Sequence, residues 1–269
     1  MVKTIAHLAD IHIRKLHRFV EYRQVFKQLY KQLKELKPDL IYIGGDVVHG
    51  KLDTSPEEVR MVANFFLSLC KISPTIIIPG NHDCNLNNKS REDTLSPIVD
   101  LVKKITPNLH YWKKSGLYTI DNVEFGVMSI FDIDKEGKQK TDGLPKPTGD
   151  SNKTQIALFH GGVDKHFYDN GFQVEDDSVK ISHFEGYDLV LLGDIHKRQF
   201  LNEEETIGYP GSLIQQNYSE DPSHGFLLWD VEKRKATYHQ VENDYGYKIL
   251  NVVDGEIQNS NCFIPRWCR

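Results

Sequence analysis

The sequence predicts an α/β fold in which two packed sheets are flanked by helices. Short apolar runs rich in β-branched residues alternate with helical patterns in the first half, and the second half is strand-rich. Metal-ligand-type side chains directly follow five of the apolar runs, which we expect to be buried strands. These runs cover residues 4–9, 40–43, 75–78, 156–159 and 189–192.

The remaining elements follow from periodicity and from start and stop signals. Residues 19–37 carry apolar side chains at alternating steps of three and four, which predicts an amphipathic helix ended by Pro38. Ser55, Pro56 and Glu58 form a capping-box pattern that predicts a helix reaching about Cys70. A third helix is expected at 97–105, a hairpin at 117–120 and 123–131, an exposed loop at 134–153, and strands at 206–209, 225–231, 236–241 and 247–253.

Composition narrows the class of protein. The chain is 39% hydrophobic and 26% charged, its mean hydropathy is −0.48, and no apolar run reaches membrane-spanning length. Because the first strand begins by Thr4 and the four cysteines lack metal-type pairing, we expect reduced thiols in a cytoplasmic or DNA-associated protein that is not secreted. The net charge of −5 argues against a passive nucleic-acid coat, but it is compatible with an enzyme. The cysteines are Cys70, Cys84, Cys262 and Cys268.

The polar segments after the strands predict a metal site. The carboxyl ends of parallel strands converge on one crevice, so ligand-type side chains from the five segments should meet there. Nitrogen and oxygen ligands without thiolate suit manganese, iron or zinc, and they disfavour a structural zinc site. Two ions can activate water and clamp a phosphate for in-line displacement. The segments are Asp10-Ile11-His12, Gly45-Asp46-Val47-Val48-His49, Gly80-Asn81-His82-Asp83, His160-Gly161 and Gly193-Asp194-Ile195-His196.

Each segment alone has a simpler interpretation. An aspartate after a strand is usually a turn or a helix cap, and a histidine is usually a surface or core residue. The ordered set of five, each at a strand end, favours a metal site instead. His82 can then protonate a leaving oxygen, and Asp83 can orient the His82 ring without itself binding a metal ion. The other histidines keep the simpler interpretation: His7, His17, His110, His166, His183, His224 and His239.

The ordered motifs resemble those of the calcineurin-like metallophosphoesterase superfamily, D-x-H, G-D, G-N-H-[DE], H and G-H-x-H, over about residues 3–255. More narrowly, the chain is similar to the SbcD-type DNA repair nucleases, relatives of the eukaryotic meiotic-recombination nuclease. Protein phosphatases of the superfamily continue G-D-x-V-D-R-G, whereas here His49 follows three residues after Asp46, as in the nucleases. The runs 208–213 and 224–226 look like the Y-P-G-S and H-G-F elements of the nucleases.

The resemblance implies a four-layer α-β-β-α metallophosphoesterase sandwich and two divalent ions, with Mn²⁺ the first choice. It implies that His82 is the acid near the leaving group and that His49 positions the DNA strand or the scissile phosphate. Asp194 departs from the pattern, since the family usually has histidine there, and a carboxylate shifts that site toward harder ions such as manganese or magnesium. The implied ligands are Asp10, His12, Asp46 and His196 for one ion, and Asp46, Asn81, His160 and Asp194 for the other.

The resemblance also implies the domains and the partners. Residues 1–243 would be the nuclease domain, and 244–269 would be only the opening of a capping domain. Family members bind DNA and a coiled-coil ABC-type ATPase of the SbcC type, and they pair through helices near the site, without a membrane. Basic residues that follow three of the ligand motifs are candidate phosphate contacts, although each can equally be a solvated charge. They are Arg14, Lys15, Arg18, Lys89, Arg91, Lys197 and Arg198.

Together these features predict a two-metal DNA phosphodiesterase, acting as an exonuclease and single-strand endonuclease in double-strand-break processing, repair or recombination. A phosphoprotein or small-substrate metallophosphatase on the same fold is the first alternative, and the missing Asp-Arg after Asp46 weakens it. A non-catalytic scaffold subunit of a DNA repair complex is the second, and the retained ligand-type residues weaken that one.

Overall fold

Two six-stranded sheets form the body of the protein, in a computed structural model that describes residues 1–51, 53–88, 90–254, 256–257 and 266–268. The helices are α1 (Phe19–Leu36), α2 (Pro56–Cys70) and α3 (Ser96–Lys103), with short 3₁₀ helices at Thr141–Gly143 and Ile181–Phe184. The sheet strands are β1 (Thr4–Leu8), β2 (Leu40–Ile43), β3 (Thr75–Ile77), β4 (Leu109–Tyr111), β5 (Gly116–Ile120), β6 (Val123–Met128), β7 (Thr154–His160), β8 (Leu189–Gly193), β9 (Gln199–Phe200), β10 (Ile207–Tyr209), β11 (Gly225–Asp230) and β12 (Lys235–Gln240).

The strand order places the ends of five parallel strands near one another. The first sheet has the order β12-β11-β1-β2-β3-β4. Strands β1 to β4 are parallel to one another, whereas β11 pairs antiparallel with both β1 and β12. The second has the order β5-β6-β7-β8-β10-β9, with β6, β7 and β8 parallel. The five predicted strands are all present, and they are divided between the sheets as β1, β2 and β3 in one and β7 and β8 in the other.

The helix ends follow the sequence signals. At the start of α2, the Ser55 hydroxyl accepts a hydrogen bond from the Glu58 amide at 3.2 Å, which is one of the two bonds of the predicted capping box. At the end of α1, Lys37 adopts a left-handed conformation (φ 49°) and its amide donates to the Leu33 carbonyl, directly before Pro38. The predicted helices 19–37 and 97–105 are confirmed as α1 and α3, whose ends lie within two residues of the predicted ones.

Three apolar layers hold the sheets and helices together. Tyr22, Phe65 and their neighbours pack α1, α2 and α3 against the outer face of the first sheet. Tyr42, Phe125 and Trp229 belong to the layer between the two sheets. The α/β class with two packed sheets is thus confirmed.

The outer face of the second sheet is covered by irregular chain. Leu144, Val163 and Phe184 pack there, the last from the second 3₁₀ helix, so the fourth layer of the sandwich is largely loop. The predicted exposed loop 134–153 contributes to this cover, because Leu144 is buried and the Tyr187 hydroxyl donates to the Pro145 carbonyl at 2.5 Å.

One predicted strand differs from the structure, and two short strands of the main sheets were not predicted. The predicted strand 247–253 is wrong. Only Val252–Val253 (β14) is extended there, paired with Glu256–Ile257 (β15), while Tyr245–Gly246 (β13) pairs with Trp267–Cys268 (β16). β4 and β9 were not predicted, because two or three residues carry too little periodicity to be recognised without the neighbouring strands β3 and β10.

Cys70 and Cys84 are buried free thiols, and Cys262 lies outside the described residues. Among the described residues, no helix combines the length and the apolar character that a membrane span requires.

Neighbouring glutamates in the first turn of α2 are expected to affect stability in opposite ways. Burial raises the pKa of Glu58 to about 7, with Asp53 raising it further and Lys15 opposing it. Stability is therefore lost as pH rises from the ordinary glutamate pKa toward 7, because the unfolded chain releases this proton first. We expect Glu58→Gln to raise the melting temperature relative to the unmodified protein, increasingly so between about pH 5 and about pH 8.

The matched control is Glu57→Gln. Hydrogen bonds from the Glu57 amide and the Ser55 hydroxyl lower the pKa of the exposed Glu57, so its contribution is present above the ordinary glutamate pKa and is lost as pH falls. Glu57→Gln should lower the melting temperature at about pH 8, an effect that fades toward about pH 4. Thermal unfolding monitored by circular dichroism tests both. Changes of the same sign in the melting temperatures of the two variants at about pH 8 would contradict the opposite effects assigned to Glu57 and Glu58.

Candidate metal centre

The five predicted segments meet where the carboxyl ends of the two sheets come together. Asp10 and His12 follow β1, Asp46 follows β2, and the Asp10 and His12 amides donate to the Gly45 and Asp46 carbonyls at 3.1 and 2.9 Å. Four of the predicted ligands have a positive φ outside glycine: Asp10 (53°), His12 (51°), Asp46 (52°) and Asp194 (98°). Such backbone conformations are uncommon and cluster at functional sites.

Asp46 lies between the two sheets. Its Oδ2 is 3.6 Å from His12 Nε2, and its Oδ1 is 3.4 Å from His160 Nε2. The two oxygens of one buried carboxylate therefore face histidines that come from different sheets. This is the arrangement that a carboxylate bridging two ions requires.

The other predicted ligands group around these two histidines. His12 Nε2 lies 3.0 Å from His196 Nε2 and 4.0 Å from Asp10 Oδ1. His160 Nε2 lies 3.3 Å from Asn81 Oδ1 and 3.6 Å from Asp194 Oδ1. Ligand atoms about 2.1 Å from one ion lie about 3.0 Å apart at right angles and up to about 4.2 Å apart on opposite sides, so the spacing in both groups fits a metal ion. Within the described part of the chain, Asp10-His12-His196 and Asp10-Asp46-His160 are also close enough to share an ion.

Close packing around Asp46 depends on glycine. A Cβ at Gly80 would lie 2.2 Å from Asp46 Oδ1, and one at Gly45 would lie 2.5 Å from His160 Nδ1. Gly45 also has a φ of 91°. These two glycines therefore let the strand ends approach closely enough for their side chains to converge.

Burial and charge shift the pKa values within the site. Burial raises the pKa of Asp10 to about 7. Burial alone would also raise the pKa of Asp46, but the positive charge of His160 outweighs it and lowers that pKa below its usual range. Burial would lower the pKa of His160, and the Asp46 carboxylate raises it well above its usual range. Without a metal ion these ligand groups therefore hold protons, which a bound cation would displace.

His82 and His49 border the ligand cluster, but Asp83 does not play the part expected of it. The His82 Nδ1–H donates to the His49 carbonyl at 2.7 Å, and the two rings stack at 5.1 Å. Both carboxylate oxygens of the fully buried Asp83 accept backbone amide bonds, from Val48 at 3.0 Å and from Gly80 at 2.8 Å. The expectation that Asp83 orients the His82 ring is thus corrected: Asp83 connects the β2 and β3 loops, and the His49 carbonyl orients the ring.

Glu220 is the residue that sequence reasoning missed. His196 Nδ1 donates to the buried Glu220 Oε1 at 2.8 Å, which leaves His196 Nε2 for an ion. The Gln216 amide donates to Glu220 Oε2 at 2.5 Å, and His224 Nε2 lies 3.7 Å from the same oxygen. Its position between the Y-P-G-S-like and H-G-F-like elements was the available signal.

Those two elements connect the strand ends. The Ser212 amide donates to the His196 carbonyl at 3.0 Å, and His224 Nδ1 donates to the Ser212 carbonyl at 2.9 Å. Ala9 and Ser212 also form a parallel bridge. The elements therefore join the loop after β1 to the loop after β8.

Of the basic residues predicted to contact phosphate, Arg18 has a structural role instead. Its side chain is 4% exposed, pairs with Glu21 at 2.8 Å and donates to the Gln215 carbonyl at 2.6 Å. Burial leaves it inaccessible to a phosphate, so this prediction is wrong for Arg18. Arg14 donates to Gln216 Oε1 at 3.1 Å, and Lys15 pairs with Asp53.

Three of the other predicted phosphate contacts lie beside aromatic rings or in a separate cavity. Lys197 Nζ lies 5.6 Å from the Phe167 ring centroid, and the exposed Arg198 guanidinium lies 3.6 Å from the Tyr238 ring centroid. Arg91 is exposed and lines a separate cavity with Lys113 and Phe131. Lys89 lies outside the described residues.

Comparison with known proteins gives a consistent family. A family model described as calcineurin-like phosphoesterase matches residues 3–198. "Uncharacterized protein R555" of Acanthamoeba polyphaga mimivirus is 44% identical over 265 residues, which cover 95% of this chain and 19% of that protein. "Putative phosphoesterase 244L" of Invertebrate iridescent virus 6 is 24% identical over 192 residues, covering 71% of this chain and 63% of that protein. The chain thus spans about a fifth of the length of the mimivirus relative and just under two thirds of the length of the iridescent virus relative.

A solved structure shares the fold. The crystal structure of the protein TT1561 of Thermus thermophilus matches with a TM-score of 0.56 at 17% identity, over 90% of this chain and all of that one. At this identity the match supports the arrangement of the two sheets and says nothing of substrate.

Replacement of Glu220 is expected to weaken metal binding. In Glu220→Gln either amide orientation places an NH₂ group against a donor, the Gln216 amide or the His196 ring. Loss of such a partner typically lowers metal affinity about 10–100-fold. Titration calorimetry with Mn²⁺ measures this directly, without reference to any activity.

Glu203→Gln, at an exposed glutamate, is the control, and we expect its Mn²⁺ affinity to equal that of the unmodified protein. The melting temperature without metal shows whether Glu220→Gln still folds. A folded Glu220→Gln protein with unchanged affinity would refute the role assigned to Glu220.

Proposed function

The chain belongs to the calcineurin-like phosphoesterase family, and from that premise we propose that it is a two-metal DNA phosphodiesterase of the SbcD type. The proposed activities are exonuclease and single-strand endonuclease cleavage in double-strand-break processing, repair or recombination. The observation that carries the two-metal proposal is the placement of Asp46, whose oxygens face His12 at 3.6 Å and His160 at 3.4 Å.

The proposed ligands divide into two sets that share Asp46. Asp10, His12 and His196 complete one set, and Asn81, His160 and Asp194 complete the other, as the resemblance implies and the distances above support. Ions held there, with Mn²⁺ the first choice, supply Lewis-acid activation of water and neutralise charge on the phosphate. The three aspartates favour a hard ion such as manganese or magnesium.

The roles of the protein's own side chains follow from their partners. His82 Nδ1–H is used by the His49 carbonyl, so Nε2 remains to deliver a proton to the departing oxygen. We propose that the His49 ring positions the scissile phosphate, which is supported by its stacking on His82 and by the 3.4 Å between the Nδ1 atoms of His49 and His12. Asp83 and Glu220 are positioning residues that hold the loops and the His196 ring.

Two features support DNA over a phosphoprotein as the substrate. Where the protein phosphatases of the superfamily have the Asp-Arg pair, this chain has His49 and Gly50, and the His49 ring joins the His12–His82 cluster. Lys197 and Arg198 directly follow the last ligand motif, where a strand leaving the centre would pass.

The remaining parts of the proposal concern the whole protein. We assign residues 1–243 to the nuclease domain and 244–269 to the opening of a capping segment. Proposed partners are DNA, a coiled-coil SbcC-type ATPase and a second copy of the chain, in the cytoplasm or associated with DNA. The chain spans only 19% of its mimivirus relative.

The first test is hydrolysis of DNA. End-labelled linear duplex, circular single-stranded DNA and a phosphopeptide are incubated with the protein and Mn²⁺. We expect shortening of the duplex and cutting of the circle, with the phosphopeptide intact. Asp46→Asn should abolish both reactions, because an amide presents only one oxygen to two ions.

The control for the assay is His110→Ala, which removes a half-buried histidine from β4, outside the site. It should keep full activity. Phosphopeptide turnover with intact DNA would replace the nuclease proposal with the phosphatase alternative. No turnover of any substrate, with Mn²⁺ bound, would favour the scaffold alternative.

The role of His82 can be separated from metal binding by changing the leaving group. Without its general acid, DNA cleavage by His82→Ala should fall about 10²–10⁴-fold in kcat. Bis(p-nitrophenyl) phosphate releases a weakly basic phenolate that needs no proton, so its turnover should fall much less. Equal losses on both substrates would assign His82 to the metal site or the fold instead.

A further inference from the structure

A short ordered hairpin stands at one edge of the candidate metal centre. Lys165 and Val174 delimit it: the Lys165 amide donates to the Val174 carbonyl at 2.6 Å, and the Val174 amide donates to the His166 carbonyl at 2.9 Å. Near the tip, the Tyr168 amide donates to the Phe172 carbonyl at 2.9 Å. We call residues 165–174 the aromatic hairpin.

The hairpin is held in place by one side chain from β9. Gln199 accepts a bond from the Phe167 amide at 2.7 Å and donates to the Phe167 carbonyl at 2.9 Å. Both polar groups of the Gln199 side chain are thus used on one residue of the hairpin. The hairpin is therefore fixed to the second sheet close to the loop that carries His196.

The hairpin directs its aromatic side chains outward. Phe167, Tyr168 and Phe172 are 39%, 46% and 62% exposed. The rings of Tyr168 and Phe172 lie nearly parallel, at 15°, with centroids 6.5 Å apart. Exposed clusters of large apolar side chains on an ordered element mark binding surfaces, because leaving them in water is unfavourable.

The cluster adjoins the proposed catalytic groups. Tyr168, Asp169 and Asn170 line a cavity of about 310 Å³ together with Asp194 and His196. Lys197 places its ammonium group 5.6 Å from the Phe167 ring centroid. A phosphate held at the metal centre would thus share its cavity with the Tyr168 ring, and the Phe167–Lys197 pair lies on the same hairpin and the adjoining loop.

We propose that the aromatic hairpin is a stacking platform for unpaired nucleobases next to the scissile phosphate, an inference that rests on the proposed function. Base faces stack on exposed aromatic rings irrespective of sequence, and the neighbouring cation meets the backbone. Bases within a duplex have both faces covered by their neighbours, so the platform favours single-stranded or frayed ends. Tyr168 and Phe172 are the specificity-determining residues.

The test measures binding separately from cleavage. The probe is a single-stranded oligonucleotide containing 2-aminopurine, whose fluorescence is quenched on stacking, in Ca²⁺ buffer. We expect Tyr168→Ala/Phe172→Ala to remove the quenching and to weaken binding at least about tenfold, as loss of base stacking does. The conservative variant Tyr168→Phe/Phe172→Tyr keeps both rings and should retain the quenching that the alanine variant loses.

Cleavage then separates this inference from the proposed function. With Mn²⁺, the alanine double variant should cleave the normal strand more slowly than the unmodified protein does, and the two should cleave equally a strand made abasic beside the cut. Equal quenching and affinity in the unmodified protein and the alanine variant would overturn the platform even if DNA is cut. If no strand is cut, the nuclease proposal fails, and the quenching still decides the platform. Melting temperatures confirm that both double variants fold.

Discussion

One buried hydrogen bond between the sheets sets the geometry of the whole centre. His160, at the end of β7, donates from Nδ1 to the Gly44 carbonyl at the end of β2, at 2.6 Å. This bond fixes the tautomer of the ring and directs Nε2 toward Asp46, Asn81 and Asp194. Because Gly44 lies two residues before Asp46, the same bond sets how the Asp46 carboxylate lies between His160 and His12. The close approach that it requires explains the glycines at 45 and 80.

The fold stabilises a centre that is unfavourable by itself. Buried carboxylates, histidines and four non-glycine residues with positive φ all cost free energy, and they persist only because the surroundings determine their positions. Three apolar layers supply that support. Around the ligands, Asp83 ties the β2 and β3 loops together, and Glu220 fixes the His196 ring, so the ligand loops after β2, β3 and β8 have polar anchors.

The charge distribution limits how an anionic substrate can reach this centre. The chain carries a net charge of −5, and the Arg18 guanidinium that follows the first ligand motif is already used by Glu21 and Gln215. Few cations therefore remain near the cavity among the described residues, Lys197 being one of them. On the proposed function, the approach of a phosphodiester would depend on the metal charge and on apolar contacts, and the aromatic hairpin would supply contacts of that second kind.

The sequence by itself determined the α/β class, most helix and strand bounds, and the set of ligand-type residues, because periodicity, caps and strand-end residues are local properties. Only the tertiary structure decided which oxygen of Asp46 faces which histidine, that Asp83 holds backbone amides, that Arg18 is buried and that Glu220 supports His196. The strand predicted at 247–253 failed for a related reason: its apolar pattern is local, but extended pairing depends on partners elsewhere in the chain. These contacts join separate segments of the chain: His196 with Glu220, and Asp46 with both His12 and His160. Their geometry exists only once the two sheets have packed.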